Sequence, residues 1–277
     1  MKGIVLALLA IFSGVAPATA QNSGLERLAR PDQIVSWKAV GRVDIGRSGY
    51  CTGTLIASDL VLTAAHCLFD RGGAPVEVGQ ITFKAGFADG ASIAESAVAR
   101  AAVHVNYQAG EGGVQNGAQI AYDLALLQLF SAIPTSVAPP FAVSRPGNGD
   151  EVSVVSYARG RSEALSWQRS CTVLGRRSSL IAVDCDVTFG SSGAPVFDRS
   201  RGRAQIVSII SSGGKDGNRT VALGMELPGL VSDLKAQLRS GKGVTGSDAA
   251  PVAGVRRITV SSGERSSGAR FLKAPGN

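Results

Sequence analysis

Two short strings of the sequence each surround one side chain that is suited to nucleophilic catalysis. "LTAAHC" contains His66, and "FGSSGAPVF" contains Ser192. A serine hydroxyl is a weak nucleophile near neutral pH and needs a neighbouring base to take its proton as it attacks. Histidine suits that role because its unperturbed pKa is about 6.5. The two residues therefore predict a catalytic pair, provided that the fold brings them together.

The sequence offers two histidines for the role of base. His104 lies within "AAVHVNYQ", an alternating, strand-like run in which a structural imidazole is expected. His66 directly precedes Cys67, so a disulfide from Cys67 to Cys51 would hold the base in position. Position matters because a misplacement of about 1 Å can reduce a rate roughly a hundredfold. The setting favours His66.

A catalytic imidazole also needs an acceptor on its second nitrogen. Asp123 is the sole charged residue in the apolar run "AYDLALLQL", which predicts a partly buried carboxylate; an edge aspartate that faces water is the alternative. Gly190 and Gly193 flank the serines of "GSSG" and permit a sharp turn that could direct backbone N–H groups to a substrate oxygen. A plain Gly/Ser turn is the alternative there.

The four cysteines allow three disulfide connectivities. The solution that is most local in sequence joins Cys51 to Cys67 and Cys171 to Cys185. No cysteine pair has the two-residue spacing of a zinc site, so we expect disulfides and no metal.

Residues 1–20 have the pattern of a secretory signal peptide, with cleavage expected before Gln21. The apolar run is shorter than the roughly 20 residues that a membrane anchor needs, and no later segment is long enough to span a bilayer. The pattern predicts a secreted or periplasmic protein, typical of bacteria.

Between Trp37 and Leu238, short runs rich in Val, Ile, Leu and Thr alternate with Gly, Ser, Asp and Pro. This spacing favours an all-β fold of antiparallel strands. About six strands are expected on each side of the proline-rich stretch "SAIPTSVAPP", which predicts a first β domain over 36–135 and a second over 136–238. "PGLVSDLKAQL" ends the second domain and is the best helix candidate.

The formal net charge of +7 is concentrated at the C-terminus. Residues 21–238 hold 20 basic and 19 acidic side chains, so nothing indicates nucleic acid as a partner. Residues 239–277 carry seven basic and two acidic residues in a Gly/Ser-rich sequence that is expected to be flexible, although "RRITV" could add a strand. The tail is either a solvated extension or a contact for anionic surfaces or another protein.

The strings "LTAAHC", "YDLALLQL" and "GSSGAP" together resemble the signature blocks of trypsin-like (chymotrypsin-fold) serine proteases over residues 36–238. The resemblance implies two six-stranded antiparallel β-barrels with a C-terminal helix and a site in the cleft between the barrels. It implies that His66 is the general base, Asp123 its orienting partner and Ser192 the nucleophile. The backbone N–H groups of Gly190 and Ser192 would form an oxyanion hole. "SIISSGG" is similar to the strand that pairs with substrate, through Ser211, Ser212 and Gly213.

Departures from the family pattern bear on activation and specificity. Ser191 stands where animal digestive members have an aspartate that pairs with a newly cut N-terminus, and "GSSGAP" is closer to bacterial secreted members such as the glutamyl endopeptidase group. Residues 21–35 could hold a pro-segment. Asp186, six residues before Ser192, resembles a pocket carboxylate that selects Lys or Arg. The alternative is a pocket that accepts glutamate or small side chains.

The resulting hypothesis is a secreted serine endopeptidase that cleaves protein or peptide substrates through an acyl-enzyme, requires no cofactor and acts as a monomer. The alternative is a catalytically latent protease-fold binding protein that attaches to surfaces or partners through the basic tail.

Overall fold

A computed structural model describes residues 25–246, except for residues 29, 47–48, 111–115, 148–149, 201 and 218. The signal peptide predicted over 1–20 and most of the tail, from residue 247 onward, lie outside these residues. No helix in the described part of the chain is long and apolar enough to cross a membrane.

The first half of the chain forms mostly short strands. In chain order its elements are β1 (Leu25–Arg27), α1 (Pro31–Ile34), β2 (Val40–Ile45), β3 (Gly49–Ala57), β4 (Leu60–Thr63), β5 (Ile81–Ala85), β6 (Ala94–Val103), α2 (Gly117–Ala121) and β7 (Ala125–Leu129). Short 3-10 helices cover Val35–Trp37, Ala65–Leu68 and Val78–Gln80.

The second half repeats this pattern and then ends in a helix and a short strand. Its elements are β8 (Glu151–Ala158), β9 (Arg161–Arg177), β10 (Leu180–Val183), β11 (Pro195–Asp198), β12 (Gln205–Ile209), β13 (Ser212–Asp216), β14 (Arg219–Met225), α3 (Pro228–Ser240) and β15 (Val244–Gly246).

Strands β2 to β7 form a closed six-stranded antiparallel barrel. Their order is β6-β5-β2-β3-β4-β7, and pairing of β6 with β7 closes the ring. Burial alternates along β2 and β5 because successive side chains of a strand point to opposite faces. Inward residues such as Val43, Leu55 and Phe83 are fully buried and fill the interior. Closure leaves the barrel few unpaired edges.

The second sheet curls into a half-barrel. Its order is β12-β11-β8-β9-β10-β14-β13, and β1 pairs with β9. The curl brings β12 against β14, where a Cβ atom at Gly224 would lie 2.1 Å from the carbonyl oxygen of Ile209. The predicted all-β fold of antiparallel strands is therefore confirmed, with one closed barrel and one curled sheet.

The predicted C-terminal helix is also present, as α3. Val231, Leu234 and Leu238 lie buried on one face at spacings of three and four residues. Gln237 Nε2 donates to the carbonyl of Val103 at 3.1 Å, so the helix packs on the first barrel. Beyond the left-handed Gly241, β15 pairs with β6, so the beginning of the basic segment 239–277 adds a strand to that barrel.

Candidate active site

Strand register brings His66 and Asp123 together. Strands β4 and β7 are antiparallel neighbours, and Thr63 pairs with Ala125 at the end of their ladder. His66 follows β4 in the 3-10 helix Ala65–Leu68, and Asp123 immediately precedes the run that becomes β7. The two side chains therefore emerge at the same end of the barrel.

The Asp123 carboxylate is fully buried and holds His66 through two bonds. Asp123 Oδ1 accepts from the backbone N–H of His66 at 2.8 Å, and Asp123 Oδ2 lies 2.7 Å from His66 Nδ1. Oδ2 also accepts from the hydroxyl of Ser211 at 2.5 Å. The carboxylate thus fixes both the backbone and the ring of the histidine.

The pKa of Asp123 reflects a competition between burial and these partners. Burial alone would raise its pKa, but the charge of His66 and the hydrogen bonds from His66 and Ser211 lower it below its ordinary value. The carboxylate is therefore ionised at neutral pH and can stabilise a positive imidazole.

A disulfide joins Cys51 on β3 to Cys67 beside the histidine. A second disulfide joins Cys171 to Cys185, so both predicted pairings are present. The ligand atoms of Cys51, His66 and Cys67 lie within 4.8 Å of one another. Both sulfurs are consumed by the disulfide, so this group has no thiolate to offer a metal.

The segment around Ser192 is positioned by its backbone. Gly190 and Gly193 have φ of 91° and 75°, in the left-handed region that favours glycine. A Cβ atom at Gly193 would lie 2.3 Å from both the carbonyl oxygen of Thr52 and the hydroxyl of Thr63. The carbonyl of Ser192 accepts from the N–H of Thr52 at 2.9 Å. The segment of Ser192 is therefore docked against β3, which contains Cys51, and against the end of β4, which leads to His66.

The N–H groups of this segment alternate between bonded and unbonded. Ser191 N–H donates to the carbonyl of Thr188 at 2.9 Å, and Gly193 N–H donates to the carbonyl of Ile210 at 2.7 Å. Within the described residues, the N–H groups of Gly190 and Ser192 donate to no protein acceptor. These are the two groups that the sequence predicts as donors to a substrate oxygen.

The sequence and the fold are similar to known proteins. The trypsin-like peptidase domain model matches residues 51–205, which include His66, Asp123 and Ser192. The chain belongs to the trypsin-like peptidase domain family.

Serine protease 23 from Homo sapiens and from Rattus norvegicus are curated relatives of this family member. Each is 30% identical over 176 residues, which cover 56% of this chain and 44% of the relative. The chain thus matches less than half the length of these relatives.

Solved structures with less than 25% identity share the fold. A Glu endopeptidase in complex with MPD has a TM-score of 0.62 at 20% identity and covers 78% of this chain and 97% of its own. The thermostable serine protease AL20 from an extremophilic microorganism has a TM-score of 0.59 at 21% identity, with 73% and 98% covered. The protease Anisep from Arthrobacter nicotinovorans has a TM-score of 0.54 at 20% identity, with 68% and 90% covered.

Ser191 is fully buried in this member of the family. Its hydroxyl lies 3.4 Å from both the N–H of Thr188 and the hydroxyl of Ser156. The contacts are between neutral groups, so this position holds no carboxylate that an N-terminal amine could neutralise.

The residues predicted to contact substrate differ in exposure and in hydrogen bonding. Ser212 and Gly213 lie on β13, which pairs only with β14 in the described sheet and so presents an open edge. Ser211 is instead buried and bonded to Asp123. The backbone N–H of Asp186 donates to Gln168 Oε1 at 2.6 Å. Burial lowers the pKa of Arg161, and the charge of Asp186 opposes that shift, so the two charges lie near each other.

Sequence reasoning missed two residues of this region. Thr52 lies on β3 of the first barrel. Its N–H donates to the carbonyl of Ser192 and its hydroxyl donates to the carbonyl of Gly190 at 2.9 Å, so it fixes the serine segment. Val187 lies over β13, because a Cβ atom at Gly213 would be 2.6 Å from Val187 Cγ2. Neither contact has a local sequence signal, since each joins positions that are remote along the chain.

His104 occupies a separate, buried position. Its ring stacks on Tyr122 with centroids 4.9 Å apart, and its Nδ1 accepts from the N–H of Asn106 at 3.3 Å. Both contacts are typical of a structural imidazole.

Proposed function

We propose that this trypsin-like peptidase domain protein is a secreted serine endopeptidase with His66, Asp123 and Ser192 as its triad. One juxtaposition supports the proposal most strongly. A buried carboxylate makes two hydrogen bonds to His66, while the serine segment docked beside it leaves the N–H groups of Gly190 and Ser192 without acceptors among the described residues. N–H donors that lie beside a nucleophilic hydroxyl and lack protein acceptors suit the oxygen of a bound substrate.

In the proposed mechanism, Ser192 Oγ attacks the carbonyl carbon of the scissile peptide bond. The Nε2 of His66 takes the hydroxyl proton, and Asp123 holds Nδ1–H and stabilises the imidazolium. The N–H groups of Gly190 and Ser192 donate to the oxyanion of the tetrahedral intermediate. His66 then gives its proton to the leaving amine, and a water molecule hydrolyses the acyl-enzyme by the same steps. The step needs no cofactor.

The position of Val187 over Gly213 supports a preference for small side chains before the cleaved bond. Val187 fills the space over Gly213 on the edge strand β13. The carboxylate of Asp186 lies near the guanidinium of Arg161, since its charge acts on that group. We therefore propose that Ser212 and Gly213 pair with the substrate backbone while Val187 limits the pocket depth, which leaves Asp186 a weak determinant of specificity.

Export is proposed on the signal pattern of residues 1–20 and on the two disulfides, because disulfides persist in oxidising compartments. Ser191 makes hydrogen bonds to neutral groups and has no carboxylate. The serine segment therefore does not need an ion pair with a newly formed N-terminal amine to reach its conformation. We propose that any pro-segment within 21–35 acts in another way.

A serine-directed fluorophosphonate probe tests the proposal. The secreted protein is treated with the probe and compared with Ser192→Ala and with Ser191→Ala, a matched control at the adjacent buried serine. We expect the wild type and Ser191→Ala to be labelled, with the modification mapped to Ser192, and Ser192→Ala to remain unlabelled. Equal labelling of Ser192→Ala, or no labelling of a folded wild type, would favour the latent binding protein.

A further inference from the structure

A groove of about 490 Å3 lies away from the triad, on the N-terminal segment and the second sheet. It is bounded by α1 and the 3-10 helix after it, by the inter-domain stretch at Pro139, by β9, and by the connection from β11 to β12. None of His66, Asp123 and Ser192 lines it. Its volume falls within the range of small-molecule sites, about 300 to 1,000 Å3.

The floor of the groove is aromatic. Trp37 packs between Trp167 and Phe141, with ring centroids 5.2 Å and 6.1 Å away. All three rings are buried and line the groove. The indole N–H of Trp167 is buried and has no hydrogen-bond partner in the described part of the chain. An unpaired buried donor is costly, so this position favours an acceptor that the protein itself does not provide.

Three arginines lie over this floor. The guanidinium of Arg169 lies 4.0 Å from the centroid of the Trp167 ring, that of Arg199 lies 4.9 Å from the same ring, and that of Arg203 lies 5.6 Å from the Phe141 ring. All three side chains are exposed and line the groove. Guanidinium groups present planar, forked donors that match carboxylate and phosphate oxygens.

Two of these arginines are already positioned by the protein. Arg169 donates from Nε and Nη2 to Glu26 Oε2 at 2.8 Å and 2.6 Å. Arg203 Nη2 donates to the carbonyls of Pro139 and Pro140 at 3.1 Å and 2.8 Å, which leaves its other N–H groups available. These partners hold both guanidinium groups at the rim of the groove.

Arg199 is the cation without a counter-charge. Among the described residues it makes no hydrogen bond or ion pair, and its guanidinium instead lies over the Trp167 ring. Of the described residues that line the groove, Asp32 alone is acidic, and it is paired with Arg30 through two N–H donors at 3.2 Å each. The groove therefore has an excess of positive charge above an apolar floor.

We propose that this arginine groove binds a small organic anion that carries a carboxylate on a short apolar body. The carboxylate pairs with Arg199 and with the free N–H groups of Arg203, and the apolar body lies on the wall formed by Val35, Pro139 and Ala204. The site is independent of the proposed peptidase activity.

Intrinsic tryptophan fluorescence tests the groove directly, because both tryptophans of the protein, Trp37 and Trp167, line it. The full secreted protein carrying Ser192→Ala, which prevents self-cleavage, is titrated with hexanoate and with hexanamide. The two probes share an apolar body and differ in charge. We expect a saturable fluorescence change with hexanoate at millimolar concentrations and a response at least tenfold weaker with hexanamide.

Charge variants identify the residue responsible. Arg199→Gln is expected to weaken hexanoate binding about tenfold, whereas Arg219→Gln, at an exposed arginine on β14 outside the groove, leaves it unchanged. Thermal melts confirm that both variants are folded. Equal responses to hexanoate and hexanamide, no saturable response to hexanoate, or equal effects of the two variants would each overturn the proposal. None of these outcomes depends on whether the protein cleaves peptides.

Discussion

The two halves of the candidate active site are held in different ways. In the first barrel, His66 and Asp123 are fixed by side-chain hydrogen bonds within a closed sheet and by the adjacent Cys51–Cys67 disulfide. In the curled second sheet, the segment of Ser192 is fixed by glycine conformations and by backbone contacts with Thr52. The base needs a carboxylate at a fixed distance from its ring. The nucleophile instead needs a fixed backbone conformation, because the neighbouring N–H donors belong to the same segment of backbone.

Removing the charge of Asp123 tests the first half and is expected to have the largest effect. Asp123→Asn retains the shape of the side chain but no longer stabilises the imidazolium or selects its tautomer. We expect kcat to fall about 10⁴-fold, which is the cost of this change in the serine protease template. Steady-state kinetics with a peptide substrate measure it. A loss below about tenfold would show that Asp123 does not orient the base.

The same substitution changes the acid stability of the protein. The pKa of Asp123 is lowered in the folded state, so its contribution is complete above the unfolded pKa of about 3.9 and disappears as the pH falls through the folded value. The free energy of unfolding of the wild type should therefore decrease on acidification below about pH 4, and that of Asp123→Asn should decrease less. Denaturant melts at several pH values measure the difference.

Gly193→Ala tests the second half. The new Cβ would lie 2.3 Å from Thr52 and Thr63 atoms, and the backbone φ of 75° disfavours alanine, so the serine segment must shift. We expect a loss of roughly 10² to 10³ in kcat, as for the loss of one oxyanion donor. Gly214→Ala is the matched control, since beyond its chain neighbours no atom of the described residues lies within 4 Å of its Cβ position. Similar kinetics for the two variants would contradict the backbone account.

The two disulfides allow the two halves to be compared, because removing either one should destabilise the fold by a similar free energy. They span sequence separations of 16 and 14 residues, and each should stabilise the fold by about 3 kcal/mol. Replacing Cys51 and Cys67 by alanine should also lower kcat, because His66 adjoins that bridge. Replacing Cys171 and Cys185 should chiefly raise KM, because Cys185 leads into the pocket segment of Val187. The comparison fails if both double variants change kcat equally.

A smaller effect is expected from enlarging the pocket. Val187→Gly removes the side chain that lies over Gly213, and Val187→Ala is the intermediate step. Cleavage after larger apolar residues should rise about tenfold in kcat/KM relative to cleavage after alanine, since a methylene-sized change in a pocket is worth about 1 to 3 kcal/mol. A peptide-library profile measures the ratio. A wild-type preference for Lys or Arg would instead restore Asp186 as the pocket determinant.

Much of this protein was predictable from local sequence. The punctuated apolar runs predicted the all-β fold, the four-residue spacing of leucines predicted α3, and the nearest cysteines predicted both disulfides. Such features depend on periodicity or on short loops, which a sequence records directly. The three signature blocks likewise indicated the candidate triad by its positions along the sequence.

Contacts between remote segments were decided only by the tertiary structure. The bond from Ser211 to Asp123 joins residues 88 positions apart, and Thr52 reaches Gly190 across 138 positions. Strand register and loop path likewise decide the position of Val187 over Gly213 and the arginine groove. They also decide that the N–H groups of Gly190 and Ser192 meet no acceptor among the described residues. Residue types in a sequence state which groups are available, but closing the barrel and curling the second sheet determine which of them meet.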